Sequence, residues 1–247
     1  MLSFLQQYFP GFCSSFEKTF LRENRWFELL KGLGVTLQIT LFATILGIIL
    51  GVVVAIVRST HDSTIGGKKC RTVWDFVLKI FNSICNVYIT VIRGTPVVIQ
   101  LMIIYYVILA SMDDGTIAAI IAFGFNSGAY VAEIVRSGIM SIDKGQFEAG
   151  RSLGLNYTQT MISIILPQAF KNILPALGNE FIVLLKETSV AGYVTVYDIT
   201  YVGNLIRSRT YEALFPLLTV AVIYLVIVMF LSYGLKCFER RLRKSDH

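Results

Sequence analysis

Long uncharged segments constrain this chain more than any other feature of the sequence. Residues 32–57 form a run of 26 residues without a charged side chain, which exceeds the roughly 20 residues that an α-helix needs to cross a bilayer. The chain is 55% hydrophobic and 15% charged, with a mean hydropathy of +0.66. Soluble domains carry roughly 25% charged residues. The composition therefore excludes an ordinary soluble domain and predicts an all-α membrane protein, because only helices or closed barrels satisfy the backbone in lipid.

Four further segments complete a predicted set of five transmembrane helices. Three of them are uncharged, and they cover residues 94–112, 115–132 and 213–235. The other, residues 173–192, contains Glu180, Lys186 and Glu187. A separate helix at about Val73–Ile92 is expected to lie at, or enter from, the cytoplasmic face before the chain bends at Arg93.

The distribution of Lys and Arg predicts the orientation, because cytoplasmic loops are enriched in both. Residues 58–75, 136–171 and 236–247 hold 13 of these residues, whereas the connections on the opposite side hold 7. The N-terminus is therefore predicted outside and the C-terminus in the cytoplasm. This bias also accounts for the net charge of +6, so no nucleic-acid partner is expected.

The predicted organisation has one membrane domain with short flanking segments. The parts are an external or interfacial segment 1–31, a transmembrane domain 32–235 that includes a cytoplasmic loop 140–170, and a basic cytoplasmic tail 236–247.

The cytoplasmic loop is predicted to begin with a short helix. Asp143, followed by Gln146, is typical of an N-cap and its capping partner. Gly154 is typical of the left-handed residue that follows a helix, so the helix should end near Leu153. A glycine inside a helix costs about 1 kcal/mol relative to alanine. We therefore expect Gly150 to be there because a partner's backbone packs closely against it.

A second helix is predicted to follow in the same loop. Asn156 and Gln159 have the spacing of another N-terminal cap. Pro167 is expected to interrupt the helix that they start, because proline lacks a backbone donor.

The spacing of the loop resembles the signature loop of the permeases of ATP-driven (ABC) importers. Glu148-Ala149-Gly150, Gly154, Ile164 and Leu166-Pro167 match that signature, except that Gly150 replaces an alanine. The resemblance implies a coupling helix that docks on a cytoplasmic ATPase. It implies coupling roles for these residues: Glu148, Ala149, Gly150, Arg151, Gly154 and Leu155. The alternative interpretation is an ordinary helical hairpin between two spans.

Four further blocks are similar to the polar amino acid permeases of that family. They are Arg93-Gly94-Thr95-Pro96 with Gln100 and Tyr105-Tyr106, the segment Tyr130–Ile139, Gly178-Asn179-Glu180-Phe181, and Lys186-Glu187-Thr188-Ser189. The resemblance implies the type I importer permease fold in the bacterial inner membrane. It also implies the partners of such a system: two ATPase subunits, a second permease (identical or paralogous), an extracytoplasmic solute-binding protein and an amino acid substrate.

The break at Gly94 and Pro96 admits two interpretations. Irregular backbone at membrane depth must be buried in protein or line water, so Thr95 and Gln100 are candidate pathway residues. The break could equally be a simple packing kink. Farther along the chain, Glu133 and Arg136 are three residues apart and are expected to form an ion pair along one helix face.

A polar stripe interrupts the fourth predicted span. Asn179 and Lys186 are seven residues apart and share one helix face, as do Glu180 and Glu187. Glu180 lies about 13 Å from the cytoplasmic end at Lys171. A carboxylate at this depth is costly, so we expect it to face a partner subunit or a wet cavity. The alternative is a neutral or internally paired residue that stabilises packing.

These features identify Asn179, Glu180 and Ser189 as further candidate pathway residues. A negative field at Glu180 favours neutral polar or cationic amino acids as substrates.

No catalytic residues, cofactor or metal site are predicted. Gly66-Gly67-Lys68 lacks the first glycine of a phosphate-binding loop, because Asp62 occupies that position. Hydrolysis of ATP is therefore assigned to a separate chain. The alternatives are a secondary transporter or channel that uses Glu180 as an ion site, and a membrane anchor subunit without a pathway.

Overall fold

The computed structural model describes residues 16–65 and 72–244, and all regular elements within these ranges are helical. Residues 1–15 of the predicted external segment and the last three residues of the predicted tail lie outside the described part of the chain. Five helices are long and apolar enough to cross a membrane, which confirms the predicted number. They cover Glu17–Thr64, Val73–Gly94, Gly115–Met140, Tyr157–Val194 and Leu214–Leu242.

The individual elements are numbered in chain order. They are α1 (Arg25–Thr64), α2 (Val73–Gly94), α3 (Val97–Ile103, continuing as a π-helix Ile104–Ile108), α4 (Gly115–Met140), α5 (Lys144–Ser152), α6 (Tyr157–Thr160), α7 (Leu166–Glu187), α8 (Ile199–Thr210) and α9 (Leu214–Lys244). Two short turns, Glu17–Leu21 and Arg22–Asn24, precede α1.

The predicted second span, residues 94–112, is wrong in its bounds. The helix there covers only Val97–Ile108, whereas α2 is the second helix of spanning length. Thr95 is extended (φ −122°, ψ 146°) and Pro96 is the N-cap of α3, because proline has no amide to continue α2. The separate helix predicted at about Val73–Ile92 is α2. It was not expected to span the membrane because its charged residues, Arg93 among them, shorten the uncharged run.

Helices α1 and α4 pack against each other through small residues at the centre of the bundle. A Cβ atom on Gly47 would lie 2.9 Å from the Cβ of Ser127, and one on Gly51 would lie 2.6 Å from the Cβ of Val131. Such contacts exclude any larger side chain at either glycine. Small residues that allow close backbone approach are typical of helix packing in membranes.

Ion pairs join the ends of α1, α2 and α4. Glu133 on α4 pairs with Arg58 on α1, and Arg93 on α2 lies 3.9 Å from the same carboxylate. Arg136 pairs with Asp62 on α1 at 3.2 Å. The predicted Glu133–Arg136 pair along one helix face is therefore wrong, because both side chains reach neighbouring helices instead. These pairs fix the end of the bundle nearest α5.

Pro167 does not interrupt the helix that follows α6. A π-helical turn, Met161–Ile165, leads directly into α7, and Pro167 occupies its first turn. Proline is tolerated there because the amide would have no regular helical partner. The predicted interruption is therefore wrong. Beyond it, α7 packs against α4 where Ile173 contacts Gly138.

Helix α8 lies at the opposite end of the bundle, against the start of α1. A Cβ atom on Gly32 would lie 3.0 Å from the Cα of Ile199, whose amide donates to the Thr36 hydroxyl at 3.2 Å. Asp198 caps α8 by accepting from the amides of Thr200 and Tyr201. Burial raises the pKa of the Asp198 carboxyl above its ordinary value, and the hydrogen bonds partly oppose this shift.

Candidate coupling and translocation sites

Helix α5 is defined at both ends by its own capping interactions. The Asp143 carboxylate accepts from the Gly145 amide at 2.6 Å. At the other end Gly154 has φ +78°, and the Leu155 amide donates to the Gly150 carbonyl at 3.0 Å while the Gly154 amide donates to Arg151. This is the Schellman arrangement. The predicted Asp143 cap and the predicted glycine terminator are confirmed, but Gln146 does not complete a capping box with Asp143.

Helix α5 packs closely against α6. Phe147 stacks on Tyr157 with ring centroids 6.0 Å apart. Asn156 and Gln159 form the predicted capping box at the start of α6. Gly150 is buried, and a Cβ atom there would lie 2.6 Å from Cγ2 of Thr160. The expectation that Gly150 accommodates a partner's backbone is therefore wrong, because this glycine accommodates the chain's own α6.

The remaining residues for which a coupling role was predicted form the outer surface of the loop. Glu148, Ala149, Arg151 and Gly154 are exposed, and Leu155 is half-buried. Leu153, beside them, is 77% exposed. An apolar side chain rimmed by charged residues on a rigid helix is typical of a protein-docking surface.

Thr95 and Gln100 meet at the break between α2 and α3. The Gln100 side-chain amide donates to the Thr95 hydroxyl at 2.8 Å and to the Ile92 carbonyl at 2.7 Å. Both residues line a cavity of about 470 Å³ whose other walls are apolar, including Ile121 and Phe125 on α4. The polar pair therefore provides hydrogen bonds to backbone groups that lose their helical partners at the break.

The acidic residues of α7 face α4 rather than the outside of the chain. Glu180 is 8% exposed and accepts a hydrogen bond from the Ser127 hydroxyl at 3.0 Å. Glu187, seven residues later on the same helix face, accepts a hydrogen bond from the Asn126 side-chain amide at 3.2 Å. The expectation that Glu180 faces a partner subunit or a wet cavity is wrong for this conformation, because its partner is the chain's own α4.

The other half of the predicted stripe lies on a different face. Asn179 and Lys186 are exposed. Ser189 is half-buried and lines a groove of about 210 Å³ beside α8, together with Tyr193 and Asn204. The five candidate pathway residues therefore lie in three places: the α2–α3 break, the middle of α7 and the outer groove.

Sequence reasoning did not single out the partners of the candidate residues. Asn126 and Ser127 are adjacent polar residues inside an apolar span, which is a signal that could have identified them. Thr160, the partner of Gly150, has no comparable signal, because a threonine on a short surface helix is unremarkable in sequence.

Comparison with known proteins assigns the fold and the loop to one family. Residues 76–244 match the family of binding-protein-dependent transport system inner membrane components. The chain belongs to this family. The arginine transport system permease protein ArtQ of Bacillus subtilis is 43% identical over 166 residues, which is 66% of this chain and 76% of ArtQ. The glutamine permease GlnP of Escherichia coli is 42% identical over 168 residues, 66% of this chain and 77% of GlnP.

Solved structures agree with this family assignment. A crystal structure of an amino acid ABC transporter with histidines has a TM-score of 0.76 and 38% identity, covering 87% of this chain and 94% of that one. The inward-facing MetNI methionine transporter has a TM-score of 0.73 at 21% identity, covering 89% of this chain and 98% of that one. The second likeness concerns the fold alone.

The chain is thus the permease subunit of a polar amino acid ABC importer, a multi-pass protein of the inner membrane. It is a transport subunit and not an enzyme, since ATP is hydrolysed by a separate chain. Family membership implies an ATPase, a substrate-binding protein and a second permease as partners.

Proposed function

We propose that this permease imports neutral polar or cationic amino acids. The named substrates of its relatives, arginine and glutamine, and the histidines in the related transporter structure all fall within this class. Glu180 and Glu187 place two carboxylates on the same side of α7, next to α4. Their field would oppose an anionic side chain inside the membrane, where screening is weak.

The proposed complex contains two copies of the cytoplasmic ATPase, two permease subunits (identical or paralogous) and an external binding protein. The N-terminus lies outside, and α5, α6 and the C-terminus lie in the cytoplasm. The excess of Lys and Arg in the connections around α5 supports this orientation.

The exposed surface of α5, whose other side packs against α6, is the observation that supports the coupling mechanism. Glu148, Ala149 and Arg151 provide its exposed surface for the ATPase. Gly150, Gly154 and Leu155 hold the loop together through the close approach to Thr160 and the Schellman hydrogen bonds. Because α5 is anchored in this way, displacement by the ATPase moves α4 and α7 instead of deforming the loop.

Movement of α4 and α7 would open and close a path between two permease subunits. Thr95, Gln100, Asn179, Glu180 and Ser189 are proposed to contribute to this path. Glu180 is hydrogen-bonded inside the chain in the present conformation, so its contribution is electrostatic here. Direct contact with substrate would require another state of the transport cycle.

Uptake into proteoliposomes tests this function against secondary transport. The full complex should accumulate labelled arginine or glutamine only with ATP on the ATPase side and binding protein on the other side. A protonophore and a sodium ionophore should leave that uptake unchanged. ATP-independent uptake that collapses with either ionophore would instead indicate an ion-coupled carrier that uses Glu180.

A further inference from the structure

Tyr211 adopts a backbone conformation that its own contacts do not explain. It follows α8 in the left-handed region (φ 56°, ψ 21°), where glycine or asparagine is usual after a helix. A bulky residue there is strained. The Tyr211 side chain is 96% exposed, so packing within the chain does not offset the strain. Strain of this kind is concentrated at functional positions.

Helix α8 presents Tyr211 from a fixed position. Val202 and Ile206 are buried in a cluster with Leu29 of α1 and Val220 of α9. A Cβ atom on Gly203 would lie 2.5 Å from Cγ2 of Val220, so α8 and α9 are in close contact. The outer face of α8 is therefore held rigidly, which lowers the entropy cost of binding a partner.

The outer face of α8 carries a row of residues that ends at Tyr211. Asn204 and Arg207 are three residues apart and therefore lie on one side of α8, and Tyr211 directly follows the last helical residue, Thr210. Arg207 is exposed and makes no ion pair within the described part of the chain. Arg209, by contrast, lies 3.5 Å from Glu28. Arg207 is therefore the arginine of α8 that is available to an external carboxylate.

The row begins at the outer groove described above. Ser189, Thr200 and Asn204 give this groove a polar lining. Two tyrosines beside it, Tyr193 and Tyr197, are 63% and 56% exposed. Hydroxyl and amide groups surrounded by exposed tyrosines suit a protein surface better than lipid chains, which offer no hydrogen bonds.

This surface lies at the end of the bundle opposite the coupling loop. Gly115, at the start of α4, contacts Val194 just before α8, whereas Met140 at the other end of α4 leads to α5. Under the proposed orientation, the groove and the row therefore face the outside of the cell.

We propose that Asn204, Arg207, Tyr211 and the adjoining groove form the docking surface for the solute-binding protein. This inference rests on the proposed function, which places that partner outside. The binding protein is expected to direct a carboxylate at Arg207 and to pack an apolar patch on the Tyr211 ring. Tyrosine and arginine dominate the energetics of protein interfaces. Binding would use the strained, preorganised position of Tyr211 without first reshaping the helix end.

The test measures how much binding protein is needed to stimulate ATP hydrolysis by the complete complex in nanodiscs. The probe is the cell's own binding protein loaded with arginine or glutamine. Tyr211→Gly removes the ring and also relieves the strain, so it should not unfold the chain. Arg207→Glu reverses the charge. Arg209→Glu is the matched control, because it reverses a neighbouring charge outside the row.

We expect the half-saturating concentration of binding protein to rise about tenfold for Tyr211→Gly and for Arg207→Glu. The rise for Arg209→Glu should stay below about twofold, as is usual for a charge at the rim. Hydrolysis without binding protein should be unchanged in all three variants. A carboxylate-to-arginine change on the binding protein that restores stimulation of Arg207→Glu would identify the facing residue.

Two results would overturn this docking surface. One is stimulation of both variants at the wild-type concentration. The other is a Tyr211→Gly variant that is lost from the membrane, together with a Tyr211→Trp variant that remains there and is stimulated as the wild type is. Tyr211 would then be a membrane-interface anchor. Failure of any binding protein to stimulate the wild-type complex would instead overturn the proposed function, and this surface with it.

Discussion

Gly150 of α5 lies directly against Thr160 of α6, so that a Cβ atom at position 150 would come within 2.6 Å of Cγ2 and 2.7 Å of Oγ1 of the threonine. The two residues join α5 to α6. Their contact leaves no room for an alanine side chain at position 150 in this conformation.

The first prediction concerns a variant, Gly150→Ala, that restores the alanine of the family signature. Gly150→Ala should separate α5 from α6 and cost about 1–3 kcal/mol of loop stability, as overpacking generally does. Less ATPase should then co-purify with the permease, and uptake should fall. The double variant Gly150→Ala with Thr160→Ala should recover both, since the two close contact atoms are gone. Gly34→Ala is the control, because nothing lies within 4 Å of a Cβ there. Full ATPase association by the single Gly150→Ala variant would refute this account of the contact.

The second prediction concerns substrate charge. Glu180→Gln keeps an oxygen that can accept from Ser127 but removes the negative charge, so assembly should be intact. Uptake of arginine should fall more than uptake of glutamine, because the lost field favours the cationic side chain. Ser127→Ala is the matched control, since it removes the hydrogen bond and leaves the charge. Equal arginine uptake before and after Glu180→Gln, in an active complex, would show that Glu180 is only a packing residue.

The third prediction concerns the ion pairs at the end of α4 nearest the loop. Glu133→Gln leaves Arg58 without its carboxylate, and the Arg58 side chain is only 16% exposed. Arg136→Gln breaks a pair whose members are more exposed, with side chains at 30% and 52%. Exposed pairs contribute at most about 1 kcal/mol, whereas an unpaired, mostly buried charge costs more. Glu133→Gln should therefore lower the Tm of the purified permease more than Arg136→Gln, as scanning fluorimetry can measure. The reverse order would contradict the assigned partners.

The sequence was sufficient to locate four of the five spanning helices and the local structure of the loop that contains α5. Uncharged length is a direct consequence of the bilayer, and the caps at Asp143 and Gly154 are local features that depend on few neighbours. The spanning length of α2 could not be recognised in the same way. A membrane helix can contain a few charged residues when other helices neutralise them, as Glu133 does for Arg93.

The neighbours that the α7 side chains contact could not be predicted from the sequence for a related reason. Periodicity correctly grouped Glu180 with Glu187, but it does not say which helix lies opposite that face. The answer depends on the packing of α7 against α4, where Ser127 and Asn126 supply the hydrogen bonds. The role of Gly150 likewise depended on a tertiary contact, since nothing in the sequence links it to Thr160.

The central claim is that ATP hydrolysis drives transport through the rigid α5 loop, and a pair of variants at Gly154 tests it most directly. Gly154 has φ +78°, a conformation that asparagine tolerates and valine does not. ATP hydrolysis and amino acid uptake should be measured in the same proteoliposomes, with Gly34→Val as the control for added bulk. Gly154→Val should remain in the membrane but lose ATP-driven uptake, whereas Gly154→Asn should retain most of it. Normal ATP-driven uptake by Gly154→Val, with the ATPase still bound, would contradict the claim.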